Sequence, residues 1–377
     1  MPDKELYARR REKVAAFLRK RGIAAARFED FEHLRSPSLR YLSGHPGDAF
    51  LIISADSGSV LIPWDLNMAG KMASVDTVLP YTSFGRSSTA AFRAALENLG
   101  VKPGSRVEMS SSTPYPSFVD HVAALDEWDL VCPAEGADAF VLSLRAVKDE
   151  GELAIYARTS ALTDRLIDAL EQGVRTSAFS TELDVALFIE REARAAGAEG
   201  MGFETLAAGP GRSFGIHAFP AYGAGAFGGP GMSILDFGIV IEGYTSDVTM
   251  SFVREPLEPR QRAMIELVEE AHRIGIAACG PGVPAREVAA RIDALFSAEG
   301  VSMPHALGHG IGLEAHESPG INLRETNTAI LAQGNIVTIE PGLYDPALGG
   351  VRLEDDVLIT VDGRRKLTSS RIVRLPG

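Results

Sequence analysis

Asp236 and Asp247 close the two ends of D-F-G-I-V-I-E-G-Y-T-S-D, and such a pair does chemistry only if the chain folds it back on itself. The flanks, Met232 to Val240 and Tyr244 to Val253, are rich in Ile, Val, Tyr, Thr and Phe and read as strands, with Glu242-Gly243 the turn signal between them. With Ile241 and Glu242 as a two-residue loop, Asp236 and Asp247 are expected directly opposite each other on one face, Cβ atoms roughly 4.5–5.5 Å apart. Carboxylates that close repel, so one takes up a proton or a cation sits between them. A hairpin with two solvated acids is the competing reading of this pair alone.

A second pair follows. Strand IVTIE at 336–340 ends on Glu340, and VRLEDDVLIT at 351–360 carries Glu354. The turn between them is Pro- and Gly-rich, and the even spacing puts both acids on one face. Between the two pairs comes H-A-L-G-H-G-I-G-L-E-A-H-E from His305 to Glu317, holding three of the chain's eight histidines within twelve residues. Its glycines at 308, 310 and 312 let backbone approach a site closely. Four carboxylates and an imidazole suit a binuclear centre: the acids offset two divalent cations, and a shared hydroxide fits between metals roughly 3.5–4 Å apart. Oxygen donors favour manganese, while the imidazole keeps zinc, cobalt and iron in play.

Such a site needs elements to position it. The chain has 377 residues, enough for two domains, and 45% are hydrophobic. A net charge of −13 argues against nucleic-acid binding and docking on anionic membranes. The two cysteines, Cys132 and Cys279, give neither a disulfide framework nor thiolate metal spacing. MPDKELYARRREK lacks the apolar core of a signal peptide, and no apolar run approaches the ~20 residues of a transmembrane helix, so a soluble, cytoplasmic protein is expected.

In order, a helix is expected over 4–21, strands at 49–54 and 59–63, a helix at 88–99, a strand at 105–109 and a helix at 117–125. This is an α/β domain over 1–145 that concentrates no chemistry; His33, His45 and His121 read as structural. Asp149 with Glu152 can cap a helix ending at Gly173. Ser180 caps another to about Gly197, and strand material lies at 204–208. After the Asp hairpin, helices from Pro259 to about Cys279 and from Arg286 to Glu299 lead to the histidine loop and the Glu strands. Helix, helix, loop, strand pair thus occurs twice within 146–377, which implies a duplicated unit with a site between its halves.

Taken together, D-F-G with Y-T-S-D-V-T, the histidine segment, T-I-E-P-G-L-Y and G-V-R-L-E-D resemble the pita-bread metallopeptidases, which include Xaa-Pro aminopeptidase, prolidase and methionine aminopeptidase. R-Y-L-S-G-H-P-G-D-A-F-L-I-I is similar to the extra domain of the Xaa-Pro and creatinase branch, which methionine aminopeptidases lack. The resemblance implies a creatinase-like N-terminal α/β domain and a C-terminal pita-bread domain with pseudo-twofold duplicated α/β halves. It also implies a homodimer and two divalent metals, manganese first, with cobalt or zinc as alternatives. Asp236 would be a terminal ligand, Asp247 and Glu354 bridges, and His309 and Glu340 the ligands that complete the other metal. Glu340 would also relay a proton from a metal-bridging hydroxide to the leaving nitrogen. His316 and His217 would contact the scissile carbonyl and the tetrahedral intermediate. His305 would line the proline pocket, with Arg352 and Tyr344 supporting the substrate side. The implied reaction is hydrolysis of the Xaa-Pro bond at the N-terminus of short proline-containing peptides.

Two departures bear on specificity. Peptidases of this branch usually read S-D-x-T-R, but here Met250 ends Ser246-Asp247-Val248-Thr249-Met250. Arg324 is the one candidate for the arginine with which prolidases grip a dipeptide carboxylate, which tilts the expectation towards aminopeptidase. A creatinase-like hydrolase, a dimethylsulfoniopropionate lyase-like enzyme and a non-catalytic binding module are the rival readings. The D-F-G triplet is not a kinase signature, because H-R-D and a Gly-rich loop followed by a strand lysine are absent.

Overall fold

The computed structural model describes residues 4–377, which divide into two compact units at Arg145/Ala146. In the first, strands β1 (Ala25–Asp30), β2 (Ala49–Ser54), β3 (Ser59–Pro63), β4 (Thr77–Val78), β5 (Arg106–Glu108) and β6 (Asp129–Val131) form one mixed sheet in the order β4-β3-β2-β1-β5-β6. Phe92 and Leu96 of helix Ser88–Asn98 pack against Phe50, Ile52 and Val107. Strand β1 carries no apolar alternation, yet all six of its residues are buried. Its charges are internally paired: Arg27 donates to Glu29 at 2.6 Å and faces His121 Nε2 at 2.6 Å, and the Thr113 hydroxyl donates to Glu29. Pairing of this kind is what makes buried charge tolerable.

The second unit begins with helix Glu150–Arg175, opened by the expected Asp149/Glu152 capping box. It runs through the anticipated stop at Gly173. A Cβ there would lie 2.2 Å from Phe179, so the missing side chain serves a close approach; Ser177 takes the left-handed φ of 56° beyond the helix end. Thr181, not Ser180, caps helix Glu182–Ala195, because the Thr181 hydroxyl accepts from Asp184 N while Asp184 accepts from Thr181 N. Strands β7 (Gly200–Met201), β8 (Leu206–Ala208), β9 (Gly231–Phe237), β10 (Ile239–Ile241), β11 (Tyr244–Thr245) and β12 (Val248–Arg254) follow.

Helices Pro259–Ala278 and Ala285–Ala298 then repeat the order and lead to β13 (Gly308–Gly310), β14 (Glu317–Ile321), β15 (Ile336–Ile339), β16 (Gly342–Asp345), β17 (Gly349–Arg352), β18 (Asp355–Thr360), β19 (Gly363–Lys366) and β20 (Ile372–Leu375). The principal sheets are β20-β12-β9-β8 and β14-β13-β15-β18-β19. The first helix pair packs its core on β9 and β12, and the second pair on β15 and β18. A bridge between Thr249 and Glu354 links the two halves. No helix among the described residues is long and apolar enough to cross a membrane.

Candidate metal centre

The Asp hairpin differs in register from the sequence expectation. Ile241 pairs with Tyr244, so Glu242 and Gly243, with φ of 49° and 88°, form the loop. Asp236 stands opposite Thr249, and Asp247 lies two residues before that partner. The expected direct opposition of Asp236 and Asp247 is therefore wrong by two residues. A slip of two preserves the face, whereas a slip of one would have reversed it. The ladder also breaks between β9 and β10 at Gly238, where a Cβ would sit 2.0 Å from Ser246 O. The Ser246 hydroxyl accepts from Ile239 N and from the Thr163 hydroxyl, anchoring the turn of chain that presents Asp247.

The Glu pair needs no such correction. One register runs through Ile339–Asp355 and Gly342–Arg352, which puts Glu340 opposite Glu354. Thr249 stitches the two hairpins: its carbonyl accepts from Glu354 N at 3.2 Å and its hydroxyl donates to Glu354 Oε2 at 2.7 Å. His309 sits on β13, its amide donating to Thr338 Oγ1. Its Nδ1 lies 3.1 Å from Gly310 O, which leaves Nε2 facing Glu340 at 3.5 Å and Asp247 at 3.7 Å. Asp247, His309 and Glu354 each offer a ligand atom within 4.8 Å of the others'.

Electrostatics point the same way. Burial pushes the Asp247 carboxyl well above the usual range, and Glu354, Asp236, Asp356 and Glu340 push it further. Glu354 is raised in the same way by burial, Glu340 and Asp236. Glu340 is pushed up to about 8, by burial before anything else. Asp236 is raised by burial against the pull of Arg352. Its Oδ2 accepts from Arg352 Nη2 at 2.5 Å, while its Oδ1 is buried with no partner. Burial lowers His309 to about 4, so its ring is neutral at pH 7 and able to ligate. An orphaned buried carboxylate oxygen amid repelling acids and a neutral imidazole fits divalent cations: ionised acids would gain a counter-charge, and Asp236 Oδ1 a partner.

Asp236, Asp247, His309, Glu340 and Glu354 line one cavity of about 710 Å³, together with His217, His305, His316, Arg324 and Arg352. The ring of His316 lies 4.3 Å from that of His309. Arg352 is 2% exposed and commits its donors to protein groups: Asp236, Thr249 Oγ1, Ile216 O beside His217, and Tyr344 Oη. Tyr344 is not among the lining residues; its hydroxyl lies 3.0 Å from His305 Nε2. Since Nδ1 of His305 faces Ala306 O at 2.8 Å, Tyr344 Oη accepts from Arg352 and donates to His305. Met250 is fully buried in the core with Val248 and Phe252, pointing away from the cavity, so the missing arginine leaves no gap in its wall.

Sequence reasoning missed Thr249, the link between hairpins, and Asp356, whose Oδ2 accepts from Asp247 N at 3.3 Å. The S-D-x-T spacing could have flagged Thr249, because alternation puts it on the face of Asp247. Nothing in the sequence marks Asp356 apart from its acidic neighbours. Phe203, Leu206 and Ile216, which add apolar wall, belong to loops and a short strand without distinctive pattern.

The model of metallopeptidase family M24 matches residues 153–361. An Xaa-Pro dipeptidase of Pyrococcus horikoshii is 28% identical, the alignment covering 95% of this chain and 96% of that protein. The solved structure of an Xaa-Pro dipeptidase from Bacillus anthracis superposes with a TM-score of 0.85 at 25% identity, over 98% of this chain and all of the other. An X-Pro aminopeptidase from Thermotoga maritima gives 0.84 at 24% identity over 97% and 99%, a likeness of fold alone. The fold is thus an N-terminal α/β domain followed by a pita-bread domain.

Proposed function

Since the chain belongs to metallopeptidase family M24 and so calls for divalent metal ions, we propose that it hydrolyses the Xaa-Pro bond at the N-terminus of short peptides. The observation that carries this reading is the convergence of Asp247, His309 and Glu354 in a cavity that Asp236 and Glu340 also line. Asp236, Asp247, His309, Glu340 and Glu354 would hold two ions, manganese being the best match to a donor set of carboxylates with one imidazole. When bound, the ions supply Lewis-acid polarisation and lower the pKa of water.

The side chains do the rest. Burial raises the proton affinity of Glu340, to about 8, so its ionised carboxylate would be suited to take a proton from the attacking water and, as the acid so formed, return it to the leaving nitrogen. His217 and His316, which line the cavity, would donate to the oxygen that gains charge. His305, fixed between Ala306 and Tyr344, offers a ring against which proline can lie. Arg352 holds Asp236 and the backbone beside His217 in register. Similarity to Xaa-Pro dipeptidases over nearly the whole chain supports an Xaa-Pro substrate.

A peptide panel tests the reading. With manganese, cobalt or zinc, Xaa-Pro and Xaa-Pro-Yaa peptides should be cleaved before proline and matched Xaa-Ala-Yaa peptides at least tenfold more slowly. Turnover of creatine or dimethylsulfoniopropionate, with proline peptides untouched, would overturn it.

A further inference from the structure

Lys148 and Glu317 form an ion pair at 3.3 Å, the lysine side chain fully buried and the carboxylate 3% exposed, and neither residue lines the cavity of the metal centre. We propose that Glu317 is the positioning residue for His316: its carboxylate, held by Lys148, sets the conformation of residues 312–316 and so the place of the His316 ring in the cavity. The inference rests on the proposed role of His316 at the oxygen that gains charge.

His316 depends on its backbone. Its ring lines the cavity and lies 4.3 Å from that of His309. Among the described residues no protein group hydrogen-bonds that ring, so the chain that carries it has to place it. Glu317, the next residue, opens strand β14 and turns to the interior instead.

The loop closes around the Glu317 carboxylate. Oε1 accepts from Glu314 N at 3.2 Å. A Cβ at Gly312 would lie 2.4 Å from either carboxylate oxygen, so the glycine lets the main chain come up against it. Gly312 N donates to Glu314 O at 3.0 Å, and Gly312 O accepts from Thr245 N at 2.9 Å, on the hairpin that presents Asp247. On the other side Oε2 accepts from Lys148 Nζ. Lys148 is anchored in its turn: its amide donates to Gly334 O, and Asn335 Nδ2 donates to Ala146 O. A line of contacts thus runs from a fixed lysine through one carboxylate to the loop that carries His316. Cohesion alone does not need these charges, because a buried ion pair replaced by apolar groups of similar volume is often neutral in stability or better. Such a replacement has no acceptor for Glu314 N, so the loop's conformation is what the carboxylate adds.

The test measures kcat, KM and bound manganese, on a short Xaa-Pro peptide, for the full chain carrying Lys148→Met with Glu317→Met and for Gly312→Ala, whose methyl would press on the carboxylate. Each should lose kcat by roughly 10- to 100-fold, the effect of a misplacement of about 1 Å. KM and metal content should stay within about twofold of wild type, as for an interaction made only in the transition state. In a His316→Ala background either change should alter kcat by less than about twofold, because the residue it positions is gone. Wild-type kcat in either folded variant, or losses that multiply with that of His316→Ala, overturns the proposal and leaves the Xaa-Pro reading standing. Loss of the folded circular dichroism spectrum in both variants also overturns it, since the pair then holds the fold rather than the loop. A wild-type chain inactive on Xaa-Pro peptides, or His316→Ala as active as wild type, overturns the reading of the site itself.

Discussion

Removing divalent ions should make the folded protein lose stability as pH rises from 6.5 to 8. Glu340, ordinarily near 4.5, is pushed up to about 8 by burial, with Arg352 opposing and Asp236 adding to the shift. Below about pH 4.5 the carboxyl is protonated folded or unfolded and contributes nothing. Between 4.5 and 8 the folded state keeps a proton that the unfolded state has lost, so unfolding free energy falls as pH rises. At ~1.4 kcal/mol per pH unit, Glu340 alone costs about 2 kcal/mol across 1.5 units. Asp247 and Glu354, raised by burial and by neighbouring acids, act with the same sign. His305 and His309, lowered by burial to about 4, act oppositely, but only between about 4 and 6.5, below the chosen window. For a domain of this size 2 kcal/mol is a melting shift of roughly 4–8 °C. Thermal melts with chelator at pH 6.5, 7.2 and 8, at constant ionic strength, measure it. Glu340→Gln should flatten the slope, and added manganese should reverse it, because ligation favours ionised carboxylates. A metal-free protein whose stability is flat or rises across this window would refute the reasoning.

Other expected outcomes follow from single contacts. Arg352→Met removes the buried partner of Asp236 and should weaken metal binding by roughly 10- to 100-fold, read by titration calorimetry. Tyr344→Phe removes the hydroxyl between Arg352 and His305; KM for Xaa-Pro substrates should rise by roughly 3- to 10-fold with metal content unchanged, as expected for a lost buried hydrogen bond of ~1 kcal/mol. Met250→Leu should cost under about 1.5 kcal/mol and leave substrate preference unaltered, whereas Met250→Arg should destabilise by roughly 3–5 kcal/mol for want of a partner in that core. Urea unfolding and the peptide panel check both.

Much of the catalytic unit is legible because its signals are local. The Asp149/Glu152 box, the Pro259 helix start and the alternation around Asp236 and Asp247 are short-range, and the structure follows them. The Glu340–Glu354 opposition was recoverable from an even spacing across one turn. What escaped was set by distant contacts. The two-residue slip of the Asp hairpin depends on Gly238 meeting Ser246 and on Thr163 from another helix. Strand β1 was invisible because Arg27 and Glu29 are buried only by virtue of each other and of His121 and Thr113. The Asp236–Arg352–Tyr344–His305 chain joins four residues that no periodicity connects. The apparent defect at Met250 dissolves once alternation along β12 is followed: Thr249 faces the site, and Met250 the core.

Asp247 and Glu354, if shared between two divalent ions, are each indispensable to both. Elemental analysis of protein equilibrated with manganese should give two ions per wild-type chain. Asp247→Ala and Glu354→Ala should each retain one ion or none, and each should lose Xaa-Pro cleavage. Wild-type metal content, or undiminished cleavage, in both variants would contradict the assignment of these carboxylates as the heart of the site.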